Sequence, residues 1–517
     1  MASIGIILKN GLEASRRIKL PRQRDPWLNQ QKVLFKLLQR AELTTFGTEY
    51  GFEEILRSHN RVEEFRARVP IHTYETMMRW WQMTVQGEDG VCWPGKVEYF
   101  ALSSGTSSGS SKYIPVTRAM LRAMQRSSMK QIYSLAYCNL PDEFYEKNIL
   151  MLGGSTNLEY NGIFYAGDLS GITTGRLPFW FQPFYKPGKG ISATKNWQEK
   201  LEIITREAHN WDVGAIVGVP SWFQILMERI IAHHGVNNIH DIWPNLQVFV
   251  HGGVAFEPYK KGFEPLLGKP LIYLETYLAS EGFIAYQSNP EAEGMRLLVK
   301  NGIFFEFIPF NNKNIDADGN AVAGCDILTL NKVVLGTEYV LVMSTVSGAW
   351  RYIIGDVIQF TDVLKYEMII KGRTKHFLSL VGEHLSVDNM NKAIELASKE
   401  LNIGIREFAV AGVNSGTLFA HHWYVSVSEL IDAEQLAKVL DAKISQLNDD
   451  YAVERQHALH KIVVDIVPNE HFMGWLKNEG KEGAQIKFPR VLKDKQIDSF
   501  ENFLVGKGVK ITPSSFL

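Results

Sequence analysis

Cysteine is nearly missing from this 517-residue chain: Cys92, Cys138 and Cys325 are scattered, odd in number and without the spacing of a metal site. That argues against disulfides and zinc and for a reducing compartment. Net charge is lacking too, at −1, with no basic stretch suited to nucleic acid and no acidic tail. No window reaches the apolar length of a membrane span. The opening Met-Ala-Ser-Ile-Gly-Ile-Ile-Leu-Lys-Asn is too short and wrongly charged for a signal peptide. Internal repeats and low-complexity tracts are absent as well. These absences predict a cytoplasmic protein with neither nucleic acid nor membrane as partner. What is present, 45% hydrophobic and 21% charged residues, suits a globular chain. Its length exceeds a single core and predicts two or three domains.

The first hundred residues read as helical: Trp27-Leu28, Val33-Leu34, Leu37-Leu38 and Ala41 recur at helical spacing. Thr73 can cap a helix through Trp81, with Thr76 where a capping box prefers Glu. The middle is mixed α/β. Ser221 with Gln224 reads as the capping box of a helix stopping at Gly235. Leu246–Val250 and Leu271–Tyr277 read as strands, and Asn301-Gly302 predicts a hairpin between Met295–Val299 and Ile303–Ile308. After Lys371-Gly372-Arg373 the pattern resets to an α+β unit, with a hinge expected near Lys375-His376.

The richest segment is Ser103-Ser104-Gly105-Thr106-Ser107-Ser108-Gly109-Ser110-Ser111-Lys112. Strand-like segments flank it on both sides, which a surface linker does not need. A phosphate cradle does: glycine lets backbone N–H groups approach an anion, hydroxyls donate to its oxygens, and lysine adds a charge. We read it as the loop that holds ATP. The spacing fails the P-loop pattern, because Lys112 is not adjacent to Gly109. Gly105, Ser107 and Gly109 also spell a nucleophile elbow, but that elbow leads into a helix, whereas Tyr113-Ile-Pro-Val116 is extended.

Three more segments fit a bound nucleotide. Tyr277-Leu-Ala-Ser280-Glu281 ends a strand, where a tyrosine can stack on adenine and a glutamate can hold Mg²⁺ beside phosphates. Asp356, after Gly355 at an expected turn, can accept ribose hydroxyls. Lys487-Phe-Pro-Arg490 sets two cations around a proline. Taken singly, these read as a core tyrosine with a solvated glutamate, an ordinary turn aspartate and a solvated basic patch. The pairs His233-His234 and His421-His422 read as structural, the latter because neighbours on a strand point to opposite faces. Phe179-Trp180-Phe181 with Phe184-Tyr185 reads as core or as the lining of an apolar pocket.

As an ordered set, the 103–112 loop, Tyr277 to Glu281, Tyr352 to Asp356 and Gly372-Arg373 resemble the adenylate-forming enzymes. Within them the chain resembles the Gretchen-Hagen-type acyl acid amido synthetases. The extra residue in Ser-Ser-Gly-Thr-Ser-Ser-Gly, the lead-in Val69-Pro70, Thr73-Tyr74-Glu75 and Gln86-Gly87, and the tail Ala484-Gln-Ile-Lys487-Phe-Pro-Arg490 carry that likeness. Departures are Leu278 and Ala279 inside the tyrosine motif, Ile353 where the family has arginine, and no charged residues before Lys112.

The resemblance implies an α/β fold. Residues 1–373 would form a large adenylate-forming domain, with sheets flanked by helices and a β-barrel-like part, and residues 374–517 a smaller, mobile α+β domain. It implies an ATP-dependent ligase that adenylates a small carboxylic acid and passes the acyl group to an amino acid. Ser103, Ser104, Gly105, Thr106, Ser107 and Lys112 would hold phosphates, and Glu281 would hold Mg²⁺. Gly252, Gly253, Tyr277, Ser280, Asp356 and Arg373 would hold the rest of ATP, with Lys487 arriving from the smaller domain as a catalytic residue. A thioester-forming ligase and a non-catalytic binder of nucleotide or acyl acid are the alternatives.

Overall fold

The computed structural model describes residues 25–103, 112–253, 256, 260–316, 319–374, 377–378, 380–381, 383, 385–416, 418–479, 488–493 and 495–514. The chain divides into two compact units, the first holding Met1–Leu102 and Lys112–Thr374 and the second holding Lys375–Leu517 together with Ser103, the last residue of the first strand.

Helices open the first unit. In α1 (Pro26–Ala41), Asp25 caps Trp27 and the stripe Val33, Leu34, Leu37, Leu38 and Ala41 is buried. Gln30 on the same face donates to the carbonyls of Val299 and Ile303, tying α1 to the sheet below. In α2 (Tyr74–Val85) the capping box forms with Thr76 in the Glu position, because its hydroxyl reaches the Thr73 N–H. Helix α3 (Arg118–Ser134) follows the strands β1 (Tyr99–Ser103) and β2 (Lys112–Val116). These two join β4 (Glu159–Tyr160) and β5 (Tyr165–Gly167) in a small sheet of order β2-β1-β5-β4.

Among the described residues the other strands of this unit form one twelve-stranded sheet. Its parallel part is β6 (Tyr185–Lys186), β3 (Asn148–Met151), β7 (Val213–Gly218), β8 (Val248–Gly252) and β9 (Ile272–Ala279). Helices α4 (Trp197–Glu207) and α5 (Pro220–His234) lie between these strands in sequence. The antiparallel part continues from β9 through β10 (Gly282–Tyr286), β11 (Met295–Leu297), β16 (Glu367–Arg373), β15 (Tyr352–Asp362), β14 (Glu338–Thr345) and β12 (Ile303–Pro309) to β13 (Leu328–Thr329).

Four expectations are corrected here. The described strands close no barrel: β11 pairs with both β10 and β16, so the antiparallel strands run on into the parallel ones as an open sheet. Gly302 does sit in a turn with φ +76°, yet β11 and β12 do not pair, because each is already taken by other neighbours. Helix α5 is capped by Val219 with Pro220 at its first position, so Ser221 is inside the helix; Gly235 ends it in the left-handed region as expected. Asp356 lies within β15, one residue past Gly355 at φ +90°, not in a turn.

The second unit is α+β. Strands β17 (Ile405–Ser415), β18 (Leu418–Val427), β19 (Leu459–Ile466) and β20 (Val491–Leu492) form a sheet of order β19-β18-β17-β20. Helices α6 (Val387–Leu401), α7 (Ala433–Leu447) and α8 (Lys495–Gly506) accompany it. His421 and His422 do face opposite sides of β18: His421 meets Glu383 at 2.9 Å, and His422 meets Asp465 at 2.8 Å. The expected hinge at 375–376 lies outside the described residues.

A buried ion pair anchors β15 in the first unit. Arg351 holds Glu306 through Nε at 2.8 Å and a second guanidinium nitrogen at 3.0 Å, and donates to the carbonyls of Val69 and Arg66. Both side chains are buried, and the Arg351 backbone stands at φ +43°, a conformation a side-chain-bearing residue keeps only when its surroundings enforce it. Arg351→Met is expected to cost about 3 kcal/mol by leaving the buried Glu306 with only Arg66, whose Nε stands 3.3 Å from it. Arg351→Met with Glu306→Leu should recover much of that loss. Equilibrium denaturation measures both, and equal losses in the single and double variants would contradict the account.

Candidate active site

Two glycines open the site. Gly252 ends β8 opposite Thr276 of β9, and a Cβ there would stand 2.4 Å from the Thr276 carbonyl oxygen, so only glycine fits. Gly253 follows at φ +85°.

Tyr277 lies one residue along β9 from Thr276, 5% exposed, and its hydroxyl donates to Asp356 Oδ2. Arg373, the cross-strand partner of Asp356, donates from Nε to Oδ1 at 2.6 Å and also reaches the Ile354 carbonyl. In the sheet order, β9 and β15 are separated by β10, β11 and β16. In a flat sheet that separation is roughly 19 Å at ~4.8 Å per strand, far beyond a tyrosine's reach. The sheet therefore curls, and the curl carries Tyr277 onto Asp356.

Glu281 sits in the β9–β10 turn, buried, with Ser280 half-buried before it. Burial pushes the Glu281 carboxyl above its ordinary value, Lys112 and Arg373 pull it back, and Asp356 adds to the rise. Burial likewise drives the Tyr277 phenol well above its usual range, helped by Asp356. Lys112 starts β2 with its ammonium 5.1 Å from the Tyr74 ring centre. Ser103 closes β1, half-buried. Ser104, Gly105, Thr106, Ser107 and Lys487 lie outside the described residues.

The structure thus brings Lys112, Tyr277, Glu281, Asp356 and Arg373 into electrostatic reach of one another. Arg490, in the second unit, pairs with Glu407, donates to the Phe408 carbonyl and stacks 4.2 Å from the Phe408 ring centre. Of the aromatic run, Phe181, Phe184 and Tyr185 are core, whereas Phe179 is 84% exposed.

Sequence reasoning passed over two buried groups. His251, just before Gly252, is held neutral by burial at a pKa of about 4, and its Nδ1 has no hydrogen-bond partner among the described residues. Lys200 on α4 is 3% exposed. Its signal was legible: it falls on the same helical stripe as Leu201 and Ile204.

The GH3 family N-terminal domain matches residues 23–163 and 155–272, the GH3 family central domain 296–367, and the GH3 family C-terminal domain 388–496. The chain belongs to the GH3 family. It is 28% identical over 276 residues to the indole-3-acetic acid-amido synthetase GH3.4 of Arabidopsis thaliana, 49% of this chain and 45% of that one. To the jasmonoyl–L-amino acid synthetase JAR6 of Nicotiana attenuata it is 22% identical over 436 residues, 72% of this chain and 73% of that one. The chain spans about half the length of the first of these curated relatives. Among solved structures, the GH3.15 acyl acid amido synthetase matches with a TM-score of 0.55 at 18% identity, covering 94% of each chain. A 2-hydroxyisobutyryl-CoA ligase in complex with 2-HIB-AMP and CoA matches with a TM-score of 0.58 at 13% identity, covering 95% of this chain and 94% of that one. These likenesses establish the adenylate-forming fold of this GH3 chain.

Glu281 carries a pH-dependent penalty. Its folded-state value lies above the unfolded one, so the ionised carboxylate weakens the fold above that raised value, and the penalty vanishes below the ordinary carboxylate range. Glu281→Gln is therefore expected to raise Tm at about pH 7.5, with the gain fading as pH falls toward about 4. A Tm at or below that of the unaltered protein at about pH 7.5 would contradict this.

Proposed function

We propose that this GH3 chain is an ATP-dependent acyl acid amido synthetase. In the first step a carboxylate oxygen of a small acid attacks the α-phosphorus of ATP, the bond to pyrophosphate breaks, and an acyl-adenylate forms. In the second, the amine of an amino acid attacks the acyl carbon, AMP leaves with the electrons of the broken C–O bond, and the amine proton passes to solvent. Such chemistry depends on positioning and charge neutralisation more than on covalent help.

The observation that carries the reading is the convergence of Lys112, Tyr277, Glu281, Asp356 and Arg373 in a chain of this family. In the proposal, Ser103, Ser104, Gly105, Thr106, Ser107 and Lys112 hold the phosphates. Gly252, Gly253, Tyr277 and Ser280 frame the adenine side, and Asp356 with Arg373 holds the ribose. Lys487 supplies positive charge at the α-phosphate from the smaller unit, which swings about Lys375 between the half-reactions. The donor set fits Mg²⁺ brought in on ATP: Glu281 offers one carboxylate, and among the described residues no group of three His, Cys, Asp or Glu side chains could hold a metal. When bound, Mg²⁺ neutralises phosphate charge. No helix among the described residues is long and apolar enough to cross a membrane, and the three cysteines are free thiols; we assign the protein to the cytoplasm.

ATP–pyrophosphate exchange across a panel of aromatic and aliphatic acids tests the first step. We expect exchange with one acid class, falling at least a hundredfold in Lys112→Ala and Lys487→Ala. Binding of ATP without exchange for any acid would turn the reading toward a non-catalytic binder. Formation of a thioester with coenzyme A in place of an amide would turn it toward a thioester-forming ligase.

A further inference from the structure

Tyr74 grips the start of β2 in two ways. Its hydroxyl oxygen accepts the Tyr113 N–H at 3.0 Å, and its ring centre stands 5.1 Å from the Lys112 ammonium. β2 ends the small sheet, whose order is β2-β1-β5-β4, so one of its sides has no strand partner among the described residues. The Tyr74 hydroxyl serves the Tyr113 N–H in place of a strand carbonyl. One side chain thus holds both the backbone from which Lys112 springs and the far end of the lysine itself.

Tyr74 is itself fixed. It is the first residue of α2, directly after the cap Thr73. Two residues earlier, His72 is tied to β15 through its backbone: its N–H donates to the Arg351 carbonyl at 2.9 Å, and its carbonyl accepts the Ile353 N–H at 2.8 Å. The Tyr74 ring packs on Trp81 with centres 5.7 Å apart, and Trp81 packs on Tyr352 at 5.4 Å. Trp81 and Tyr352 are both buried. A chain of ring contacts therefore runs from Lys112 through Tyr74 and Trp81 to β15, the strand that carries Asp356. A lysine stem loses much rotamer freedom when it is ordered, and a rigid seat meets that cost before any ligand arrives.

We propose that Tyr74 is a positioning residue for Lys112, seating the ammonium over its ring where it meets the phosphates of ATP. This rests on the reading of Lys112 as a phosphate-binding residue of an adenylating enzyme. The ring attracts the cation through its quadrupole and carries no net charge. It therefore fixes the place of the ammonium without cancelling the charge that acts on phosphate. The seated ammonium is within electrostatic reach of Glu281, whose carboxyl value it draws down. Tyr74 itself touches no reacting atom in this proposal; it acts through Lys112.

The test is a double-mutant cycle on ATP–pyrophosphate exchange, with Tyr74→Leu and Lys112→Ala made singly and together. Tyr74→Leu should lower kcat/KM for ATP about tenfold, in the range of one partly desolvated cation–π contact. In the Lys112→Ala background the same change should cost less than about twofold, because the cation that the ring seats is gone. Tyr74→Phe keeps the ring and drops the hydroxyl, and should stay within about threefold of the unaltered protein, the cost of one neutral hydrogen bond. Any of three results overturns the proposal: unchanged exchange in Tyr74→Leu, an equal fall in both backgrounds, or a loss in Tyr74→Phe as large as in Tyr74→Leu. Thermal unfolding checks that each variant is folded, and if leucine is not accepted, Tyr74→Met carries the same readout. A failure of the adenylation reading looks different, because the unaltered protein itself would then show no exchange with any acid. The same cycle, read on the Kd of ATP, would then decide whether Tyr74 acts through Lys112.

Discussion

The contact between the Tyr277 hydroxyl and Asp356 depends on the curl of one sheet, and the rest of the candidate site hangs from that curl. Strands far apart in the sheet order meet across its concave face, and side chains from both parts fill the interior. Tyr277, Ile284 and Met295 pack there with Phe305, Leu341 and Phe360. Because the core and the site share these residues, the apolar packing that drives folding also sets the geometry of the polar cluster. Arg351 reinforces it at the start of β15, where its pairing with Glu306 fixes the strand five residues before Asp356.

Asp356 shows how a residue can be legible while its setting is not. Its place after glycine, between the Tyr352 motif and Arg373, marked it as a candidate, and the structure brings it to Tyr277 and Arg373. Sequence patterns put it in a turn, because glycine before aspartate is a turn signal. The strand continues through Gly355 because cross-strand pairing with β16 outweighs that local preference. Similarly, Asn301-Gly302 signalled a hairpin from local chemistry, but partner choice was decided elsewhere, by the competing strands β14 and β16. Helix periods were readable because they are local. The continuity of the twelve strands was not, since it rests on pairings between residues far apart in the chain.

Two buried cations in the first unit are treated in opposite ways. Arg351 has two contacts with a carboxylate and two with carbonyls, so its charge is neutralised within the fold. Lys200 has a single carbonyl. Only the structure separates a cation held by a carboxylate from one held by a single carbonyl.

The open sheet has a further consequence, for the behaviour of the protein at high concentration. An open sheet ends in two edges, and each edge is a template on which a second molecule can add a strand. Here both edge strands are two residues long, Tyr185–Lys186 on one side and Leu328–Thr329 on the other. Each exposes too few backbone donors and acceptors to register a partner strand, and Lys186 places a charge on one of them. The longest sheet in the molecule is thus shielded against edge-to-edge association by the shortness of the strands that end it.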